Sequence, residues 1–266
     1  MINEITFPGL GLSFTLNRAA FSVFGLPIYW YGLLIAFGMV LAGIYGYREA
    51  KKTGLGQDDF LNMLLIAVPV SIVCARLYYV LFNLDTYRVL NALDIRSGGL
   101  AIYGGIIGAC IVVVSYCRAK HLSIGITVDI LAVGLLIGQV IGRWGNFVNG
   151  EAFGSVTNLP WAMTVKTDGS IVALNVHPTF IYESLWNFVG IGVLLLYKRI
   201  KKFNGELFCA YMVWYGMGRA WIEGLRADSL YIGSYRVSQL LAIATVILGF
   251  AIIIYGRIKV RKQNIQ

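Results

Sequence analysis

Residues 124–141 read IGITVDILAVGLLIGQVI, eighteen positions with a single charged side chain, Asp129. A run of that length and apolarity suits a helix that crosses a bilayer, which needs about 20 residues. Working outward, six more such runs follow one another: Ile28–Tyr47, Phe60–Phe82, Gly98–Cys117, Thr179–Tyr197, Leu207–Ile222 and Val237–Tyr255. All exceed the alternating segments of about ten residues that build membrane barrels. The expected fold class is therefore all-α: a polytopic membrane bundle of seven transmembrane helices, with 1–266 as one transmembrane domain. Gly104, Gly105 and Gly108 in the third run, and Gly134 and Gly138 in the fourth, offer small faces for close helix contact.

Composition agrees. Hydrophobic residues make up 58% of the 266 and charged residues 13%, about half the usual quarter. Exchanging the tyrosines for the glycines gives about 64% apolar, against about 45–50% for soluble domains. Mean hydropathy is +0.72. These values exclude soluble enzymes, disordered chains and disulfide scaffolds. Cys74, Cys110, Cys117 and Cys209 all lie in apolar stretches without a CxxC, so they read as packing residues, and no metal or cofactor is expected. Met1–Glu4 shows no basic region leading into a cleavable apolar stretch, so no removable signal peptide is expected.

The net charge of +9 is spread over short clusters between the apolar runs, which suits a membrane surface and not nucleic acid. Arg48/Lys51/Lys52, Arg118/Lys120, Lys198/Arg199/Lys201/Lys202 and Arg257/Lys259/Arg261/Lys262 follow runs one, three, five and seven. Positive loops stay inside, so the N-terminus is expected outside and the C-terminus in the cytoplasm. The outer loops mix Arg18, Arg88, Arg96, Lys166 and Arg236 with Asp85, Asp94 and Asp168. The longest polar segment, 143–178, is expected to form a small extracytoplasmic cap.

An ionisable side chain within a span costs about 2.5–3.5 kcal/mol, so each one calls for a reason. Arg76, Asp129, Glu183 and Arg219 lie within the runs, with Arg143, Glu223 and Arg226 at their edges. Asp129 is near a cytoplasmic end, where water can reach it, and Arg76 is within snorkelling reach of the outer interface. Tyr215, Arg219 and Glu223 recur every four residues, which puts them on one helix face. The densest polar stretch is Gly142-Arg143-Trp144-Gly145-Asn146-Phe147-Val148-Asn149-Gly150-Glu151-Ala152-Phe153-Gly154. It supplies an arginine fork suited to phosphate, amide donors and glycines that admit close backbone approach. Arg143 and Arg219 are thus candidates for an anion site at the outer membrane edge, held by Glu151 and Glu223. An interfacial turn and a self-neutralising Arg219–Glu223 pair account for the same residues without function. His121 and His177, on opposite sides, arrange neither a hydrolase nor a metal site.

The stretch 142–154 resembles the signature of bacterial prolipoprotein diacylglyceryl transferases. Trp30-Tyr31-Gly32, Arg76 with Tyr79-Val80-Leu81-Phe82, Gly98-Gly99, His177-Pro178 with Tyr182-Glu183, Tyr215-Gly216 with Arg219 and Glu223, and Ser238-Gln239 extend the resemblance over nearly the whole chain. It implies transfer of diacylglyceryl from phosphatidylglycerol to the lipobox cysteine thiol in the signal peptide of a prolipoprotein, with release of glycerol phosphate. That places the chain in the bacterial cytoplasmic membrane with its active site toward the outer face. The resemblance implies phospholipid-binding and catalytic roles for Arg143 and Arg219, with Glu151 beside them, and substrate binding by Tyr31, Arg76, Asn146, Gly154, Tyr215 and Glu223; Tyr103 is expected to be catalytic by hydrogen-bonding substrate or relaying a proton through water. One position departs: Ala101-Ile102-Tyr103-Gly104-Gly105 carries tyrosine where the family pattern has histidine. A neutral phenol is a poor acceptor for a thiol proton, so the histidine base is not carried over and the acceptor stays open. The competing expectation is a transporter or flippase for an anionic lipid, using the same arginines without bond making.

Overall fold

The computed structural model describes residues 1–83, 99–227, 231–233 and 235–264. Asp85, Arg88, Asp94, Arg96 and Gly98 lie outside the described residues. Among the described residues there are seven long helices: α1 (Trp30–Thr53), α2 (Gln57–Leu81), α3 (Ile102–Ala119), α4 (Ile124–Asn149), α5 (Thr179–Tyr197), α6 (Glu206–Glu223) and α7 (Val237–Gln263). Six are long and apolar enough to cross a membrane. The exception is α6, whose 18 residues carry three charges, Arg219 within the apolar run and Glu206 and Glu223 at its ends.

The all-α expectation is corrected by eight short strands among the described residues. β1 (Ile2–Phe7), β2 (Leu12–Asn17), β5 (Met163–Thr167) and β6 (Ser170–Val176) form an antiparallel sheet in the order β2-β1-β5-β6. β3 (Ala19–Val23) pairs with β4 (Leu26–Tyr29), and β7 (Tyr231–Ile232) with β8 (Tyr235–Arg236). The first run therefore starts as a helix at Trp30, because residues 28 and 29 belong to β4. The expected cap, 143–178, begins inside a helix: Arg143–Asn149 are the last two turns of α4, and the sheet that follows is completed by the N-terminal strands.

The chain divides into two compact units, Met1–Ala42 with Leu131–Gln266, and Gly43–Ile130. In the first, alternation along β1 turns Asn3, Ile5 and Phe7 inward. Ile5 and Phe7 join Met163, Val165, Ala173, Val176 and Phe180 in one apolar core, against which Phe147 and Phe153 pack. Asn3 ties this sheet to α4, donating from Nδ2 to the Val148 carbonyl at 2.8 Å. The helix ends there in a Schellman turn: Gly150, at φ 64°, donates to Phe147 O, and Glu151 donates to Asn146 O.

Helices α5 and α6 are locked by a reciprocal exchange. Trp186 Nε1 donates to Trp214 O at 3.0 Å, Trp214 Nε1 donates to Trp186 O at 3.1 Å, and the rings stack at 4.5 Å. Each indole lies across a glycine of the opposite helix, Gly218 under Trp186 and Gly190 under Trp214, where a β-carbon would collide with the ring. The α6–α7 contact uses Gly216 and Gly249 in the same way, and Gln239 donates to Ala220 O at 2.9 Å.

In the second unit α3 packs on α2 through Gly104 and Gly108, whose missing side chains admit Cys74 and Tyr78. Arg76, expected within snorkelling reach of the interface, is 2% exposed; its Nη1 donates to Gly99 O at 3.1 Å. Asp129, expected to meet water, is also buried.

Candidate active site

The last turns of α4, the first turns of α5 and the end of α6 all belong to the first unit. Aromatic packing fixes the first pair: Phe147 stacks on Phe180 at 4.9 Å, and Trp144 meets both edge-on at 5.9 and 5.7 Å. The tryptophan exchange fixes the second pair. Three arginines then meet at one carboxylate.

Glu183, one turn into α5, is that carboxylate. Arg143 of α4 pairs with its Oε2; Arg219 of α6 reaches Oε1 at 3.3 Å, and Arg226, just past α6, reaches Oε1 at 3.6 Å. Arg219 is also held by Glu223 at 2.7 Å, one helical turn on. The intrahelical pair read from the spacing therefore forms, but it does not close on itself, because Arg219 spans to α5 as well. Glu183 and Glu223 are 5% and 2% exposed, whereas the guanidinium-bearing side chains keep 21% (Arg143), 19% (Arg219) and 12% (Arg226). The carboxylates are buried behind the cations, which present the outer surface of the cluster.

Around Arg143 the signature residues form a relay. Its Nη1 donates to Asn146 Oδ1 at 3.4 Å, and Glu151 Oε1 accepts from the amides of Asn146 at 3.1 Å and Asn149 at 3.2 Å. Glu151 was expected to hold a guanidinium directly. It instead orients the two amides, because the Schellman turn folds residue 151 back over the helix end while Glu183 takes the arginine. Tyr31 lies over Gly145, where a β-carbon would sit 2.5 Å from its ring, and it is within electrostatic range of both Glu151 and Arg143.

Tyr215 lines a recess of ≈ 10 Å³ with Glu183, Asn187 and Arg219, about the room of one water. The recess lies between α5 and α6 and does not include Arg143. Gly154 sits in a seam: its N–H donates to His177 O at 2.8 Å, it bridges to Arg226, and a β-carbon would lie 2.6 Å from His177 Cβ. Of the expected site residues, Arg143, Arg219, Glu223, Asn146, Glu151, Tyr31, Tyr215 and Gly154 are thus gathered in the first unit. Arg76 and Tyr103 belong to the second, where the Tyr103 ring lies 6.4 Å from that of Tyr78.

Sequence reasoning noted Glu183 and Arg226 as charges in or beside apolar runs but did not place them in the site. The cost of a carboxylate inside a span was the signal, since it requires cations around it.

A family model described as Prolipoprotein diacylglyceryl transferase matches residues 18–255. The chain belongs to this family. Among relatives named phosphatidylglycerol–prolipoprotein diacylglyceryl transferase, one from Finegoldia magna is 48% identical over 255 residues, covering 94% of this chain and 98% of the relative. One from Clostridioides difficile is 44% identical over 252 residues, covering 94% and 99%. A third, from Lysinibacillus sphaericus, is 42% identical over 257 residues, covering 92% and 94%. As a prolipoprotein diacylglyceryl transferase family member, the chain gathers its signature stretch, 142–154, around the arginine cluster.

Proposed function

We propose that the protein transfers the diacylglyceryl group of phosphatidylglycerol to the lipobox cysteine thiol of bacterial prolipoproteins, forming a thioether and releasing glycerol phosphate. The observation that carries this reading is the meeting of Arg143 and Arg219 on Glu183. In the reaction the sulfur bonds to the glycerol carbon that bears the phosphate, and that carbon–oxygen bond breaks. The electron pair leaves with the phosphate oxygen, so negative charge grows on the leaving group. Guanidiniums already fixed by a buried carboxylate stabilise that charge without reorganising, and they do so most strongly where water is scarce. Glu183 and Glu223 hold the arginines; Asn146 and Glu151 set the Arg143 fork; Tyr31, Tyr215 and Gly154 shape the surroundings of the headgroup.

The basic clusters read the N-terminus as outside and the C-terminus as cytoplasmic in a bacterial plasma membrane. The ends of α4 and α6 and the start of α5 then face outward, where a secreted preprotein presents its lipobox. Family membership favours transfer over lipid transport. Arg76 is assigned to substrate binding and the Tyr103 hydroxyl to a hydrogen bond with substrate; Tyr103→Phe and Tyr103→His, compared for turnover, separate that hydroxyl role from ring packing.

The test is mass spectrometry of a lipobox peptide incubated with the purified protein in phosphatidylglycerol vesicles. A gain equal to diacylglycerol minus water is expected; lipid movement across the vesicle with an unmodified peptide would replace this reading with transport.

A further inference from the structure

Thiol chemistry at neutral pH needs a group to take the proton, and the arginine cluster cannot, because a guanidinium is already protonated. Beside it stands a histidine–tyrosine pair. Trp161 Nε1, which can only donate, bonds to the Tyr182 hydroxyl oxygen at 2.8 Å. Tyr182 Oη lies 3.2 Å from His177 Nδ1, and with Trp161 on the oxygen its own proton is free to point at that nitrogen. The rings meet edge-on at 6.0 Å.

A closed circuit of contacts joins this pair to the cluster. His177 exchanges backbone hydrogen bonds with Gly154 and Ser155, Ser155 N donates to Leu225 O at 2.7 Å, and Gly154 bridges to Arg226. Arg226 reaches Glu183, the residue after Tyr182 on α5. On the α6 side, Tyr182 stacks at 6.2 Å on Trp221, two residues before Glu223. These contacts lead to Glu183, next to Tyr182 on α5, to Arg226 across the seam and, two residues past Trp221, to Glu223, which pairs with Arg219. Burial lowers the proton affinity of His177, so the imidazole stands neutral before reaction and gives up quickly any proton it takes.

We propose that the Tyr182 hydroxyl, held between Trp161 and His177 at the edge of the arginine cluster, takes the proton of the substrate thiol and passes its own to His177 Nδ1. The proposal rests on the transferase reading. The balance closes: S–H breaks as S–C forms, the carbon–oxygen bond to phosphate breaks, and His177 holds one proton while glycerol phosphate leaves with the electron pair. The proton then returns to the released phosphate or to water. A neutral phenol alone is a poor acceptor, so the net acceptor is His177: Tyr182 touches substrate and relays the proton across its 3.2 Å contact, and Trp161 orients the hydroxyl.

The test is the pH dependence of turnover for Tyr182→Phe and His177→Gln, with the lipobox peptide and phosphatidylglycerol vesicles. Both variants are expected to lose about 100-fold in kcat at pH 7, with the KM for phosphatidylglycerol unchanged. A thiol of ordinary acidity is about 3% ionised at pH 7 and about 76% at pH 9, so the deficit is expected to shrink by roughly 25-fold across that range. Glutamine keeps an acceptor for the Tyr182 hydroxyl but takes up no proton. Full activity in either variant, or a deficit constant with pH, would overturn the relay and leave the transferase reading standing. An inactive wild type would overturn both.

Discussion

Removing the carboxylate of Glu183 leaves three guanidiniums, those of Arg143, Arg219 and Arg226, facing one another without the group they share. Breaking a buried charge pair by deleting one partner costs about 3–5 kcal/mol. Glu183→Gln is therefore expected to lower the melting temperature in detergent and to reduce kcat/KM as the arginines reorient; an unchanged melt and unchanged turnover would remove Glu183 from the centre of the site. Arg219→Lys keeps the charge but loses the planar fork that spans Glu183 and Glu223, and a fall in kcat of about 10²–10³ is expected from losing one fixed donor. His177 adds a pH term to stability. Its folded-state proton affinity is lowered by burial, so the unfolded chain binds the proton first as pH falls. The contribution is intact above about pH 6.5 and is lost below it. The melt should therefore fall on acidification through that value, and His177→Gln should flatten the dependence. At this scale the sequence made the arginines legible through the cost of charge in lipid. It left their common partner hidden, because Glu183 lies 40 and 36 positions from the two arginines and only the fold brings them together.

At the scale of elements, helix existence was readable and helix ends were not. The fourth run was read to Ile141, since Arg143 breaks the apolarity, yet α4 continues to Asn149. What stops it is the Schellman turn at Gly150, clamped by Asn3 from a strand more than 140 residues earlier. Gly150→Ala would impose φ 64° on an L side chain and set its β-carbon 2.9 Å from Val165 Cγ1. A loss of about 1–3 kcal/mol is expected in thermal unfolding, together with reduced turnover as Asn146 and Glu151 shift. The strands were masked by the apolar runs: β1–β2 and β5–β6 are short local hairpins, but only the β1–β5 pairing, between residues about 160 apart, joins them into one sheet. The glycine–tryptophan lock between α5 and α6 was equally silent, since Trp186/Gly190 and Trp214/Gly218 become a pair only when the helices are antiparallel neighbours. Gly190→Ala, against the Trp214 ring, tests whether that lock fixes the distance between Glu183 and Arg219; lower stability with weakened kcat is the expected result, and wild-type kinetics would argue against it.

For the whole molecule, composition and basic-loop bias carried the membrane assignment, and the structure adds an N-terminal and central sheet that buries the end of the signature helix. A phosphatase reporter active only outside the cell is expected to work when inserted at the β5–β6 turn, Asp168–Gly169, and to stay inactive when fused after Gln266. The opposite pattern would invert the proposed orientation and turn the arginine cluster away from secreted substrates. If guanidiniums gathered on a buried carboxylate drive departure of the phosphate, the rate of lipobox-peptide lipidation by Arg143→Ala in phosphatidylglycerol vesicles, normalised to inserted protein, reports it. The diacylglyceryl mass gain is expected to disappear while the protein stays inserted; a rate equal to that of the unsubstituted protein would contradict this role for the guanidiniums.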